Sequence, residues 1–410
     1  MAKKQVDILI IGGGLTGATL MLALQGLGLN TLLVEAKPFS DKVNPDFDAR
    51  SLALSPATKR ILNMLGVWDI LKEYATAIDM IHVSDQHRFG VSRLQGDADN
   101  PLGYVVEMQH INLALHQLLA KEQLMAPATV TSLDLAAKTV TVSTDTGDVQ
   151  IAAQLIVAAD GAESVVRRFC DLPAKIKSYN QQAIVANVGL VKPHEHRAYE
   201  RFTAHGPLAL LPMQDNRMSL VWAMSPKKAE QLMALTEAAF LKELQQAFGY
   251  RLGRLVKVGK RHSYPLKQVL MPQQIKWPVV FVGNAAHTLH PVAGQGFNLG
   301  LRDAATLAQC ISKQGLNEEM LQQYLQLRRH DQQVITRFTD GLIQVFTSRL
   351  PGMGLVRNIG LIAIDNIPAL KNCLARYARG FGGFTPDLVC EIALETVDVP
   401  YLGDRNEPTF

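Results

Sequence analysis

Charge is scarce in this chain of 410 residues: Asp, Glu, Lys and Arg together make up 19%, and the formal net charge is only +4. So mild an excess, with the basic residues gathered in no single block, excludes the electrostatic footprint of a nucleic-acid binder. Cysteine is scarcer still. Cys170, Cys310, Cys373 and Cys390 stand alone with no C-x-x-C pair, which argues against a zinc site or a disulfide framework and leads to the expectation of reduced thiols in a cytoplasmic protein. No run reaches the roughly 18 uninterrupted apolar residues of a spanning helix. The start, MAKKQVDILIIGGG, passes from a polar tip into an apolar strand without the h-region and cleavage site of a signal peptide. There is no internal repeat and no low-complexity segment. What remains is a globular chain that leans apolar, 48% hydrophobic, long enough for about two or three domains.

Val6 to Ile11 is a continuous β-branched run of the kind a buried parallel strand shows, and glycines follow it at once. Leu15 to Leu27 reads as a helix and Asn30 to Glu35 as the next strand, completing a βαβ unit. Thr129 to Val142 and Val149 to Ala159 read as strands, the second ending at the turn dipeptide Asp160-Gly161. From about Lys175 to Lys276, strand-like runs (AIVANVGLV, LALLPM, MSLVWAM) surround one helical stretch near Leu235 to Phe248, which predicts a separate sheet. Trp277 to Val282 returns to the buried-strand pattern, so the first domain resumes after an insertion. Beyond Leu321 the chain reads as helical, with Arg328, Arg329 and Arg337 among apolar positions.

Gly12, Gly14 and Gly17 satisfy G-x-G-x-x-G between strand and helix, with Glu35 about 20 residues on. Gly12 permits a tight turn, Gly14 lets the backbone approach a pyrophosphate, Gly17 lets helix and strand pack closely, and the helix N-terminus attracts the phosphate charge. Glu35 is placed to accept hydrogen bonds from ribose hydroxyls. Turn glycines with an incidental surface glutamate would be the plainer reading, but strand, helix and acid standing in register count against it. The fingerprint by itself does not separate NAD from FAD.

Three spaced motifs decide between them. Gly12 to Gly17 with Glu35, Asp160 to Arg167 (DGAESVVR), and Gly283 to Asp303 together resemble the FAD-dependent aromatic hydroxylases, the p-hydroxybenzoate hydroxylase-like flavoprotein monooxygenases, in order and spacing. Phe47 to Leu54 (FDARSLAL), Ile81 to Asp85, Tyr199 to Leu211 and the stretch from Gly283 make the chain similar to the ubiquinone-biosynthesis members, those acting on 2-polyprenyl-6-methoxyphenol in particular. The resemblance covers about residues 5–380, and the stretch after it matches nothing assignable.

The resemblance implies an α/β (α+β) fold: a Rossmann-like three-layer FAD-binding domain with an inserted mixed β-sheet substrate domain and a C-terminal helical region. The expected boundaries are 1–75, 95–174 and 277–335 for the FAD-binding domain, 76–94 and 175–276 for the substrate domain, and 336–410 for the helical region and tail. It implies FAD as cofactor, NAD(P)H as transient electron donor, and O2 and a polyprenylated phenol as substrates. The ring would be hydroxylated through a C4a-hydroperoxyflavin, since no side chain can activate O2 in this way. Asp160 and Gly161 would lie near the FAD pyrophosphate, and Arg50 would contact the cofactor. Gly283 and Asn284 belong to the same motif. Pro291, Gly294, Gln295, Gly296, Phe297 and Asn298 sit where a loop turns into the helix Leu299 to Ile311, whose N-terminus would face the flavin pyrimidine edge.

His287 and His290, three apart, invite a metal reading, but no third ligand accompanies them and none is expected. His287 is read as support for the flavin loop. No catalytic triad is readable, and the catalytic residue beyond the flavin is left open. The substrate pocket is expected along Leu208 to Met213, Ser219 to Met224 and Tyr264 to Leu266. The apolar region Leu342 to Leu374 suits a membrane interface, a partner surface or plain domain packing. A peripheral place at the inner face of the membrane, within a quinone-biosynthesis complex, follows as an expectation, and so does the alternative of a flavin-binding assembly subunit. Ring position and the choice between NADH and NADPH are not legible.

Asn284 departs from the aspartate of the wider family and removes a negative charge beside the flavin. Less negative potential favours a ring that gains electrons. An Asn284→Asp variant should therefore show a lower FAD reduction potential by spectroelectrochemical titration, and an unchanged or higher potential would refute this.

Overall fold

A computed structural model describes residues 2–39, 42, 47–96, 99–291, 294–347 and 352–395. Strand Ala2–Ile11 lies at the centre of the first sheet, flanked in parallel by Thr31–Val34 on one side and Gly147–Ala158 on the other. Val279–Phe281 extends the sheet beyond Gly147–Ala158, also in parallel. Successive side chains of the central strand enter different cores: Ile8 and Ile10 pack on one face, Leu9 and Ile11 on the other. That two-sided burial explains the unbroken apolar run, which a strand with one wet face would not need. Helix Leu15–Leu24 is buried around most of its circumference, consistent with a sequence that is apolar on every side.

The expected strand Thr129 to Val142 is in fact a hairpin, Ala128–Asp134 paired with Thr139–Thr144. The turn residue Lys138 has a φ of 53° and breaks the run, as a single strand could not. A small sheet of Ser51–Leu54, Gly103–Glu107 and Thr76–Ile78 adjoins the first domain. Thr76–Ile78 thus pairs away from the larger inserted sheet, although it falls inside the expected substrate segment 76–94.

The second sheet has nine strands, among them Met80–Asp85, Val91–Gln95, Lys175–Leu190, Arg197–Phe202, Pro207–Met213, Arg217–Met224 and His262–Leu270. Its period-two alternation sends Leu208, Leu210, Leu220 and Trp222 against helices Pro226–Met233 and Glu237–Phe248, whose Phe240, Leu244 and Phe248 complete a separate core. Ala209, Leu211, Ser219 and Val221 therefore face the other way. Asn187 on that opposite face donates from Nδ2 to the carbonyls of Phe47 and Ala49, at 2.7 Å each, so the face looks toward the first domain.

Helix Glu318–Thr347 is continuous through the expected boundary at 335/336. Helices Met353–Asn366 and Pro368–Ala378 follow, bent by 91°. The first docks on the second sheet, where Asn358 Oδ1 accepts from Gly90 N at 2.5 Å and Asp365 Oδ1 from Arg93 N at 2.8 Å. Part of the unassigned tail folds back: Asp387 bonds Gln309 through both its amide and its carboxylate. Residues 396–410 lie outside the described residues. No single helix among the described residues is long and apolar enough to cross a membrane.

Candidate active site

Ile11, Ala158 and Phe281 stand side by side in register at the carboxyl ends of three parallel strands. The loops that follow them, at Gly12, Asp160 and Gly283, consequently open onto one crevice, where ligands of open α/β sheets bind. A β-carbon on Gly12, whose φ is +107°, would fall 2.5 Å from the Ala159 carbonyl oxygen, so the first two loops are in contact. On Gly17 it would fall 1.9 Å from the Gly12 oxygen, and on Gly283 2.7 Å from Thr16 Oγ1. These glycines are required by the protein's own packing.

Gly14 differs. Its φ of −69° suits any residue, a β-carbon there would meet nothing within 4 Å, and the position is exposed. It caps Leu15–Leu24, a helix with no side-chain cap and no acidic residue in its first turn, so the amide donors of that turn stay available to an anion. Gly296 likewise borders open space. At these two helix starts the bare backbone leaves a cradle with room for a ligand. The donor set fits the pyrophosphate and flavin of FAD.

Glu35 is tied to the fingerprint loop: Oε2 accepts from Gly13 N at 2.7 Å and Oε1 from Lys37 N at 2.9 Å. Each oxygen keeps a second lone pair for a ribose hydroxyl. Asp160 Oδ2 accepts from Val165 N and Val166 N at 2.7 and 3.2 Å, while its Oδ1 is buried with no protein partner. Burial raises the Asp160 pKa, against the opposing hydrogen bonds from Ser164 and the two amides. Gly161 has a φ of +83°, which suits glycine. Arg167 bridges the second and third loops, donating to Ala162 O at 2.8 Å and Ala285 O at 3.3 Å.

Asn284 is exposed. Arg50 is exposed too, its guanidinium 5.1 Å from the Tyr264 ring centroid, so it spans from the first domain to the second sheet. Pro291 accepts from Gly294 N at 3.0 Å, and Val292 and Ala293 lie outside the described residues. The helix expected from Leu299 begins four residues earlier, at Gln295, because Gly294 adopts φ +60° and turns the chain in directly. Gln295, Gly296, Phe297 and Asn298 thus form its first turn. Asn298 spends its amide on the protein: Oδ1 accepts from Ser55 N and Thr58 Oγ1, and Nδ2 donates to Ala53 O and Gly294 O. It fixes the flavin loop to the segment after Arg50.

Sequence reasoning passed over a buried ionic cluster beneath this loop. Asp303 Oδ2 accepts from Gly283 N at 3.2 Å and meets His287 Nε2 at 2.5 Å, and its Oδ1 accepts from Arg328 Nε at 2.8 Å. Arg328 Nη1 also reaches Asp331 at 2.7 Å, and Arg302 Nη1 reaches the same carboxylate at 2.8 Å. Burial would raise the Asp303 pKa, but His287 and Arg328 outweigh it and hold the carboxyl well below the usual range. The isolated arginine at position 328 amid apolar residues was the available signal. His290 is buried edge-on to Tyr179 at 5.0 Å, and desolvation pushes its pKa down to about 4, so it is neutral near pH 7. Among the described residues no group of His, Cys, Asp and Glu could hold a metal ion.

The expected pocket segments are corrected by half. Leu208, Leu210, Leu220 and Trp222 belong to the core on the far face, and only the alternate residues, such as Ala209, Leu211, Ser219 and Val221, face the first domain. Tyr264, on the facing side, meets Arg50.

Residues 5–339 match the family described as an FAD binding domain, and the chain belongs to that family. Its relatives place it in the class of FAD-dependent monooxygenases. It is 34% identical over 389 residues to the ubiquinone hydroxylase UbiL of Rhodospirillum rubrum, covering 92% of this chain and 90% of the relative. It is 30% identical over 394 residues to the 3-demethoxyubiquinol 3-hydroxylase of Escherichia coli, covering 93% of this chain and all of the relative. The solved structure of p-nitrophenol 4-monooxygenase PnpA from Pseudomonas putida DLL-E4 aligns with a TM-score of 0.76 over 93% of this chain and 99% of its own, and at 19% identity it shows the shared fold.

Gly14→Ala and Gly17→Ala should separate the two kinds of glycine. Gly17→Ala should lower the melting temperature of FAD-free protein, whereas Gly14→Ala should leave it unchanged and weaken FAD binding by about tenfold or more, roughly 1.4 kcal/mol. Thermal melts with fluorescence titration of FAD check both, and a Gly14→Ala variant with native affinity would contradict the cradle.

Proposed function

We propose that the chain hydroxylates the ring of a polyprenylated phenol, such as 2-polyprenyl-6-methoxyphenol, in ubiquinone biosynthesis, using O2 and NAD(P)H. The observation that carries this reading is the bare-backbone crevice facing the half-buried, mostly apolar side of a second sheet; relatives named as ubiquinone hydroxylases support it. Bound FAD would supply the electron transfer and oxygen activation. In this reading Gly12, Gly14 and Gly17 with the first turn of Leu15–Leu24 hold the pyrophosphate, and Glu35 takes the ribose. Asp160, Gly161, Gly283 and Asn284 line the cofactor's middle. The amides from Gln295 to Asn298 face the flavin ring and favour the negative charge it gains on reduction. Arg50 and Tyr264 close the mouth between the domains, and Val221, Val185 and Ala209 shelter the ring from water.

The tail of such a substrate lies in a bilayer, and the C-terminal helix pair suits that setting. Leu355, Val356, Ile359, Ile362, Ile367 and Leu370 are between 37% and 60% exposed, an apolar surface directed away from the docked side. Leu374 of the same pair packs on a cluster with Ala198 and Leu211, so the pair runs from the proposed membrane face to the substrate side of the second sheet. We read this as peripheral attachment through which the polyprenyl chain enters.

Expression in bacterial strains each lacking one ring-hydroxylation step should restore quinone in a strain-specific way, with the matching phenol disappearing. Restoration in no strain would overturn the reading. A Gly296→Asp variant that still restored quinone would favour the assembly-subunit alternative, because a side chain there stands where the flavin is to lie.

A further inference from the structure

Glu200 is a half-buried carboxyl with no hydrogen-bond or ion-pair partner among the described residues. It sits in strand Arg197–Phe202, which pairs with Pro207–Met213 on one side and Met80–Asp85 on the other. Alternation places Tyr199 and Arg201 on the far face, where Tyr199 packs on Phe248 and Arg201 donates to Ala247 O at 3.0 Å. Glu200 therefore shares the near face with Ala198 and Phe202. The register sets it in one row with Val83, Ala209, Val221 and Val185, a row that crosses the sheet toward the first domain.

Its carboxylate makes no hydrogen bond or ion pair with any described residue. The side chain is half-buried, on the sheet face that Asn187 ties to the first domain. Desolvation alone raises its pKa to about 7. The other charged groups on this face are engaged or distant. Asp85, diagonal to Glu200, meets Arg357 at 3.2 Å, and Arg217 is closed onto Glu107 at 2.8 Å. His262 ends the same row four strands away. The flanking strand Pro207–Met213 carries no titratable residue, and His82 of Met80–Asp85 lies on the far face beside Tyr199. A desolvated carboxyl without a partner carries a cost, and such groups concentrate where chemistry uses them.

We propose that Glu200 receives the ring hydroxyl of the phenolic substrate, accepting its hydrogen bond and then its proton as the ring attacks oxygen. This rests on the hydroxylase reading above. The phenol O–H bond breaks, its electron pair stays on the phenol oxygen and enriches the ring, and the proton forms a new O–H bond on Glu200. O2 and the two electrons of NAD(P)H provide the inserted oxygen atom. When aromaticity returns, the ring carbon releases its hydrogen as a proton, which leaves with the second oxygen atom of O2 as water, and Glu200 returns its own proton to the phenol oxygen. A base whose pKa lies near the working pH suits both directions of this transfer.

The test compares wild-type holoprotein with Glu200→Gln and Glu200→Asp, using a short-chain prenylated phenol. The base acts when ionised, so wild-type kcat/KM should rise with pH through about 7. Glu200→Gln should lose that limb and about a hundredfold in kcat or more, with FAD content and phenol-free flavin reduction unchanged and the melting temperature not lowered. Glu200→Asp should keep the pH limb. Calorimetric binding of the same phenol in two buffers of different ionisation enthalpy should show a proton linkage that Glu200→Gln abolishes, a readout independent of turnover. Hydroxylation by wild type with unaltered kcat and pH profile in Glu200→Gln would overturn the role of Glu200 and leave the hydroxylase reading standing. Proton-linked binding lost in Glu200→Gln, without turnover in wild type, would do the reverse. A wild type that neither binds nor hydroxylates the phenol overturns both.

Discussion

One buried carboxylate, Asp303, holds together the parts of the structure that must meet at the cofactor. Its Oδ2 engages the Gly283 amide and His287, and its Oδ1 engages Arg328 and Gln332. The loop after the third parallel strand, the helix Gln295–Gln314 and the long helix Glu318–Thr347 thereby share one anchor. Arg302 and Asp331 extend it, so two arginines face two aspartates, all with side chains at most 1% exposed. Such a cluster adds little net stability over an apolar core of the same shape, because desolvating four charges offsets most of their attraction. What it imposes is geometry: removing any member strands a buried charge, and so the loop has one position.

The rest of the crevice depends on that position. With Gly283 fixed, Thr16 of the first helix and Gly300 of the loop helix close on it, a β-carbon on Gly300 falling 3.0 Å from Thr16 Oγ1. Arg167 then bridges to the Asp160 loop, and Asn298 bridges to the strand after Arg50. Five segments separated by up to almost three hundred residues are thus brought to one rim by side chains bonded within the protein. The face of the second sheet turned toward the rim carries mostly apolar side chains and the carboxyl of Glu200, which has no partner among the described residues.

Much of this was legible in the sequence where the signal is local. A β-branched run, three glycines at fixed spacing and an acid at the end of the next strand define a mononucleotide-binding unit, because each part acts on neighbours within a single βαβ turn. Gly296 was singled out through the resemblance of the Gly283 to Asp303 stretch, not from a local βαβ signal. The helix from Gln295 was read as starting late, since the left-handed φ of Gly294 that initiates it is not marked by any side-chain cap. The pocket residues were half misplaced because periodicity tells that two faces exist, not which faces the other domain. Asn298 was expected at the cofactor, and the four hydrogen bonds of its side chain go to the protein instead. The ionic cluster was only hinted at by the arginine at 328 among apolar residues: Asp303 and Arg328 sit on different helices, and only folding shows that they meet.

The central claim is that the Asp303 cluster positions the flavin loop, and Asp303→Asn with Asp303→Glu as control tests it most directly. FAD content per chain, read by absorbance after gel filtration, and denaturant unfolding are the quantities to measure. The account predicts that Asp303→Asn destabilises the protein by about 3–5 kcal/mol, the usual cost of stranding a buried charge, and releases FAD. Full FAD occupancy with unchanged unfolding in Asp303→Asn would contradict it.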